Sequence, residues 1–173
     1  PTQCPPSPTM TPHSTRKPLA LALILSKGSY GIGTWPALGP SEYSRFTHAV
    51  LTTYRALLGG QRCTQLQGSD PEVTAELRLP SPARLIASAR IRLFSRLITK
   101  SLWPALAMID AGKNVRKSWF SGLAYDFKWL ASVDEQCNFL VNSEPSQWAK
   151  AARDSPGFLV KRAVLMAQQY KET

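Results

Sequence analysis

The acids and potential nucleophiles of this chain stand at spacings that build no complete reaction centre. A two-metal polymerase or nuclease needs carboxylates converging on ions about 3.5–4 Å apart. The adjacent acids Asp134-Glu135 follow an expected helix in a polar stretch, which reads as solvated surface. Asp126 lies among Tyr125, Phe127 and Trp129, and its residue type there predicts a surface or capping role. A nucleophilic Ser or Cys needs a positioned base, but His13 falls in a proline-rich stretch and His48 has no evident partner. Gly31-Ile32-Gly33 lacks the third glycine and the preceding strand of a dinucleotide loop, so it marks a turn. No Gly-Lys-Ser/Thr phosphate loop occurs. Cys4, Cys63 and Cys137 are odd in number, far apart and in mostly polar surroundings. They imply no disulfide framework, favour a reducing, intracellular setting, and meet neither histidine at a zinc-ligand spacing. The expectation is a chain with no catalytic residue, no metal and no cofactor of its own.

Charge carries more information than chemistry here. The formal net charge is +10 and the pI about 9.9. Between Arg78 and Lys117 stand nine basic residues and one acid, Asp110, so this span holds +8 of that total. Solubility alone does not call for such concentration, and a polyanionic partner does. Arginine predominates, and its planar fork suits phosphate oxygens better than a lysine point charge. The candidate contacts are Arg84, Arg92, Arg96 and Lys100, followed by Lys113, Arg116 and Lys117. They would hold a nucleic-acid backbone, as DNA or RNA–DNA duplex, without reading its sequence. A solvated helix face and an anionic membrane surface remain open as alternatives for the same residues.

Those residues have to be positioned by helices. Residues 1–18 are rich in Pro, Ser and Thr and predict a disordered lead-in. Arg16-Lys17 and the apolar run Leu19–Leu25 imitate a signal peptide, but Lys27 stands where small cleavage-site residues belong, so secretion is not expected. Leu19 to about Ser29 predicts a short apolar helix, and the Gly/Pro cluster through Pro40 a turn. Ser41 caps a helix that buries Tyr43, Phe46, Val50, Tyr54 and Leu57 and stops at Gly59-Gly60. A short helix follows Asp70. Ser81-Pro82 opens a longer one to about Lys100, with Ile86, Ile91, Leu93, Phe94, Leu97 and Ile98 on one side. Arg84, Arg92, Arg96 and Lys100 gather on the other. Arg90 falls on the apolar side and must snorkel or find a partner. Further helices are expected over Pro104–Ile109, Asn114–Leu130, and near 144–153 and 157–170. With no alternating strand pattern, the chain reads as all-α, an irregular bundle of about six helices. No stretch approaches the roughly 18 apolar residues of a membrane span.

The order of several segments resembles one family. Leu25-Ser26-Lys27 and Tyr30-Gly31-Ile32-Gly33-Thr34-Trp35-Pro36 look like the Tyr-Gly-x-x-x-Trp segment that follows the palm of non-LTR (LINE-type) reverse transcriptases. Tyr54-Arg55-Ala56-Leu57-Leu58 matches the Tyr-Arg-x-Leu-Leu pattern beyond it. Leu79-Pro80-Ser81-Pro82 with Ala89-Arg90-Ile91-Arg92-Leu93-Phe94 is similar to a Leu-Pro then Ala-Arg-x-Arg helix. Trp103–Ile109 and Asp126–Leu130 continue the order. The likeness spans residues 19–130 and runs more faintly to about 165, with residues 131–173 as a helical extension. Gly28-Ser29 depart from it, standing where relatives place apolar residues.

The resemblance implies a helical thumb and post-thumb region that holds the RNA–DNA duplex beside a polymerase. The family's catalytic aspartates belong to a palm, and nothing in this chain matches them, nor do its residues to Thr173 match the Cys/His module that relatives can carry downstream. The missing palm, or another protein, is then a second partner. A small helical protein-interaction module is the competing expectation, and a basic membrane-surface helix the third.

Overall fold

The computed structural model describes residues 31–58, 70–100, 102–112 and 115–169. Seven α-helices stand among them: α1 Pro40–Leu58, α2 Asp70–Leu77, α3 Pro82–Lys100, α4 Leu102–Gly112, α5 Trp119–Val133, α6 Pro145–Asp154 and α7 Phe158–Gln169. Two 3-10 turns, Ile32–Thr34 and Glu135–Leu140, complete the described elements, none of which is a strand. The expected all-α class is the observed one. The lead-in over residues 1–18, the expected apolar helix over Leu19–Ser29 and the loop at 61–69 lie outside the described residues.

Local signals set most boundaries. Pro40 opens α1 with its fixed φ, and the Glu42 carboxylate turns back to accept the Gly39 N–H at 2.8 Å. The helix therefore begins slightly ahead of the expected Ser41 cap. Ser118 Oγ accepts the Ser121 N–H at 3.1 Å and caps α5. That helix starts at Trp119 rather than near Asn114, because Lys117 adopts φ 57° and breaks the helical path just before the cap. Pro145 opens α6, where the Gln147 side chain accepts the Glu144 N–H at 2.9 Å.

Helix α3 is the axis of the molecule. Ala87, Ile91, Phe94 and Ile98 enter the larger buried cluster with Leu123, Phe127 and Leu130 of α5, Trp148 of α6, and Leu159 and Ala163 of α7. Phe127 meets Phe94 edge-on at 5.5 Å between centroids and Trp148 at 4.9 Å. This cluster runs without interruption across residue 130. One turn from its start, α3 sends Leu85 to a second cluster with Val50, Leu51, Tyr54 and Leu58 of α1 and Val73 of α2. Tyr43, expected inside, stays 38% exposed at the open end of α1. No helix among the described residues is long and apolar enough to cross a membrane.

The segment 31–37 is fastened across this frame. Gly31 takes φ 82°, a conformation costly for any residue with a Cβ, and starts the Ile32–Thr34 turn. At Gly33 the contact with α3 is closer still, because a Cβ there would stand 2.8 Å from the Ala89 carbonyl oxygen and 3.2 Å from Leu93 Cβ. Trp119 Nε1–H donates to the Gly33 carbonyl at 2.5 Å, tying the same turn to α5. Gly33→Ala must push the turn off α3, at an expected cost of about 1–3 kcal/mol. A urea midpoint equal to that of the wild type would show that the turn can shift without loss.

Candidate nucleic-acid interface

The exposed side of α3 presents Arg92, Arg96 and Lys100 to solvent. They stand four residues apart, so the charges climb the helix in steps of about 6 Å. Duplex phosphates on one strand recur at about 3.4 Å of axis, so neighbouring side chains match phosphates about two base-pair steps apart. The sequence of α3 contains no acid. The ion pairs Arg55–Asp70, Arg90–Asp126 and Arg162–Asp134 do not engage this stripe. Polar neighbours turn inward instead: Thr99 Oγ1–H donates to the Ser95 carbonyl at 2.9 Å, and Ser88 Oγ–H to that of Leu85 at 3.1 Å.

The other expected contacts separate from this stripe. Arg84 is half-buried, with its guanidinium carbon 4.4 Å from the ring centroid of buried Trp129. That cation–π seat makes Arg84 part of the packing between α3 and α5. About 80° round the helix separates it from Arg92, enough to move it from the open side to the edge of the core. Arg116 and Lys117 are exposed in the turn before α5. The Lys117 ammonium lies beside Gly39, 3.7 Å from where a Cβ would stand. The Ala37 N–H, donating to the Ser118 carbonyl at 3.4 Å, joins the two segments. Lys113 lies outside the described residues.

Between these basic sets sits a buried clamp. Arg90 is 5% exposed, and its fork has three directions occupied. Nη1 donates to Asp126 Oδ2 at 2.8 Å, Nε to the Trp35 carbonyl at 3.0 Å, and Nη2 to the Pro36 carbonyl at 3.0 Å. Arg90 thus does pair, as its place on the apolar side required. Asp126, expected at the surface or a cap, is 5% exposed and is that partner. Burial pushes its carboxyl up to about 6, outweighing the pull of Arg90 and, more weakly, of Arg84. Gly122 leaves the room: a Cβ there would stand 2.8 Å from the Arg90 guanidinium. Two anomalies could have revealed the pair in the sequence, a lone arginine on an apolar face and a lone acid among aromatics. Each is costly buried alone, and each cancels the other's charge.

Asp134 is likewise corrected from surface to interior. It is 4% exposed, and Arg162 grips both its oxygens at 2.5 and 2.6 Å. Those bonds hold its carboxyl below the usual range. Its neighbour Glu135 is exposed as expected. Cys137, expected in polar surroundings, is fully buried, with its Sγ–H donating to Asp134 Oδ2 at 3.4 Å. Burial first, and then the adjacent carboxylate, push the thiol up to about 12. At neutral pH it is a protonated thiol, a poor nucleophile.

Among the described residues no group of three or more His, Cys, Asp and Glu side chains could hold a metal ion. The geometry therefore brings together a short cationic track and a clamp that fixes the segment beside it. Comparison with family models, curated proteins and solved structures gives no match for this chain.

Proposed function

We propose that this chain grips the phosphate backbone of a nucleic-acid duplex, as the helical thumb and post-thumb part of a non-LTR reverse transcriptase acts beside its palm. The observation carrying this reading is the track of Arg92, Arg96 and Lys100 on an acid-free helix face. A helix whose other side is the centre of the core is a rigid mount for such a track. The contacts among resemblance-bearing segments add support. The Gly31–Pro36 stretch packs on Ala89 and bonds to Arg90, which pairs with Asp126 of the Asp126–Leu130 stretch. On this reading the chain has no polymerase activity alone, acts inside the cell, in nucleus or cytoplasm, and has the palm as its protein partner.

Salt is the test. The affinity of the full chain for an RNA–DNA or DNA duplex should fall steeply with salt, and Arg92→Gln with Arg96→Gln should lower the log–log slope by about 2. Both side chains are exposed, so the double variant should melt as the wild type does. Failure to bind any duplex, or equal affinity at low and high salt, would sink the reading. A second reading, a helical module that binds another protein, draws on Phe139 and Val141, 44% and 48% exposed. It predicts complexes that persist at high salt.

A further inference from the structure

The basic track ends beside an unusual side chain. Trp103 is 83% exposed, more than any other large hydrophobic residue described. It lies in the first turn of α4, three residues beyond Lys100. The two Cα atoms are therefore at most about 11 Å apart along the chain. Ala107 and Ala111, four and eight residues further, are exposed and small, so neither shelters the indole. The core does not need it either. Among the described α4 side chains it is Ile109, 2% exposed, that enters the larger buried cluster.

A single exposed apolar residue is ordinary on any surface. What distinguishes this one is the pairing of a flat, wide ring with a run of phosphate-binding charges. A strand of nucleic acid presents both complements, phosphates along one edge and π-faces on its unpaired bases. Single-strand binding sites combine a basic groove with aromatic platforms for this reason.

We propose that Trp103 is a stacking platform for an unpaired base of the strand whose phosphates lie on Arg92, Arg96 and Lys100. The preferred ligand is then a duplex carrying a short single-stranded overhang, with the duplex on α3 and the first unpaired base on the indole. This rests on the reading of α3 as a phosphate track.

The experiment compares a blunt duplex with the same duplex bearing an overhang, both at low salt, using the full chain. The overhang should tighten binding about tenfold, the range of one base–aromatic stack. Trp103→Ala should remove that gain while leaving blunt-duplex affinity unchanged, and Trp103→Phe should retain most of it. Fluorescence supplies an independent readout. Trp35 and Trp119 are half-buried and Trp129 and Trp148 buried, so base quenching falls mainly on Trp103. The overhang should quench the emission, and the blunt duplex should not. Equal affinity for the two ligands, or a Trp103→Ala variant that weakens both alike, would overturn the stacking role while the track on α3 stands. Loss of salt-sensitive duplex binding altogether would overturn both.

Discussion

Arg90→Ala should lose about 3–5 kcal/mol of stability, the usual cost of breaking a buried ion pair by removing one partner. Small domains have only about 5–15 kcal/mol in total, so the variant should be partly unfolded at modest temperature. The loss has two sources. Asp126 would be left 5% exposed with its main counter-charge gone. The Trp35 and Pro36 carbonyls would also lose their donors, releasing the segment that lies against α3. Arg90→Lys should recover little, because one ammonium cannot reproduce the fork that serves three acceptors. Replacing both partners with apolar residues, Arg90→Met with Asp126→Leu, should recover the part due to the stranded charge, while the lost donors to the Trp35 and Pro36 carbonyls still cost. Urea unfolding measures all three. An Arg90→Ala midpoint near that of the wild type would mean the pair contributes nothing net.

The second large effect is a pH dependence of unusual sign. The Asp126 carboxyl is raised to about 6 in the folded chain, by burial that its arginine partners only partly offset. Its unfolded value is about 3.9, so between those limits the folded state holds more protons than the unfolded. Stability must then fall as pH rises from about 4 to about 6, by on the order of 2–3 kcal/mol from this group. Asp134 acts the other way. Its pKa is lowered by Arg162, so its contribution is present above the ordinary carboxylate range and is lost as pH falls below it. Together they predict greatest stability near pH 4, a decline to pH 6 and a plateau above. In Asp126→Asn the decline between pH 4 and 6 should vanish while the acid-side loss remains. Parallel melting curves for the two proteins across that range would exclude the assignment.

Different residues became legible for different reasons. The burial of Ile91, Phe94, Ile98, Leu123, Phe127 and Leu130 follows from helical periodicity, a local property that survives any arrangement of the helices. The exposure of Arg92, Arg96 and Lys100 follows from the same rule read on the opposite face. Caps and breakers placed most helix ends, but not the start of α5, where Lys117 adopts a left-handed φ that residue type does not announce. Arg84 lies about 80° round α3 from Arg92, at the edge of the polar side, and Trp129 of α5 covers it. No property of α3 alone foretells that neighbour.

The sequence by itself determined the helical class, the sidedness of α1 and α3 in outline and the location of the charge, because these depend on residues within a few turns of one another. Tertiary structure decided which charges remain available. Asp126 and Asp134 are acids of ordinary local context, and both are withdrawn from the surface by arginines that arrive from 36 and 28 residues away. Burial of an ionised group is tolerated only where a partner and hydrogen bonds meet it, and that meeting is a matter of packing rather than spacing. The same packing left Arg92, Arg96 and Lys100 on the open side of the central helix.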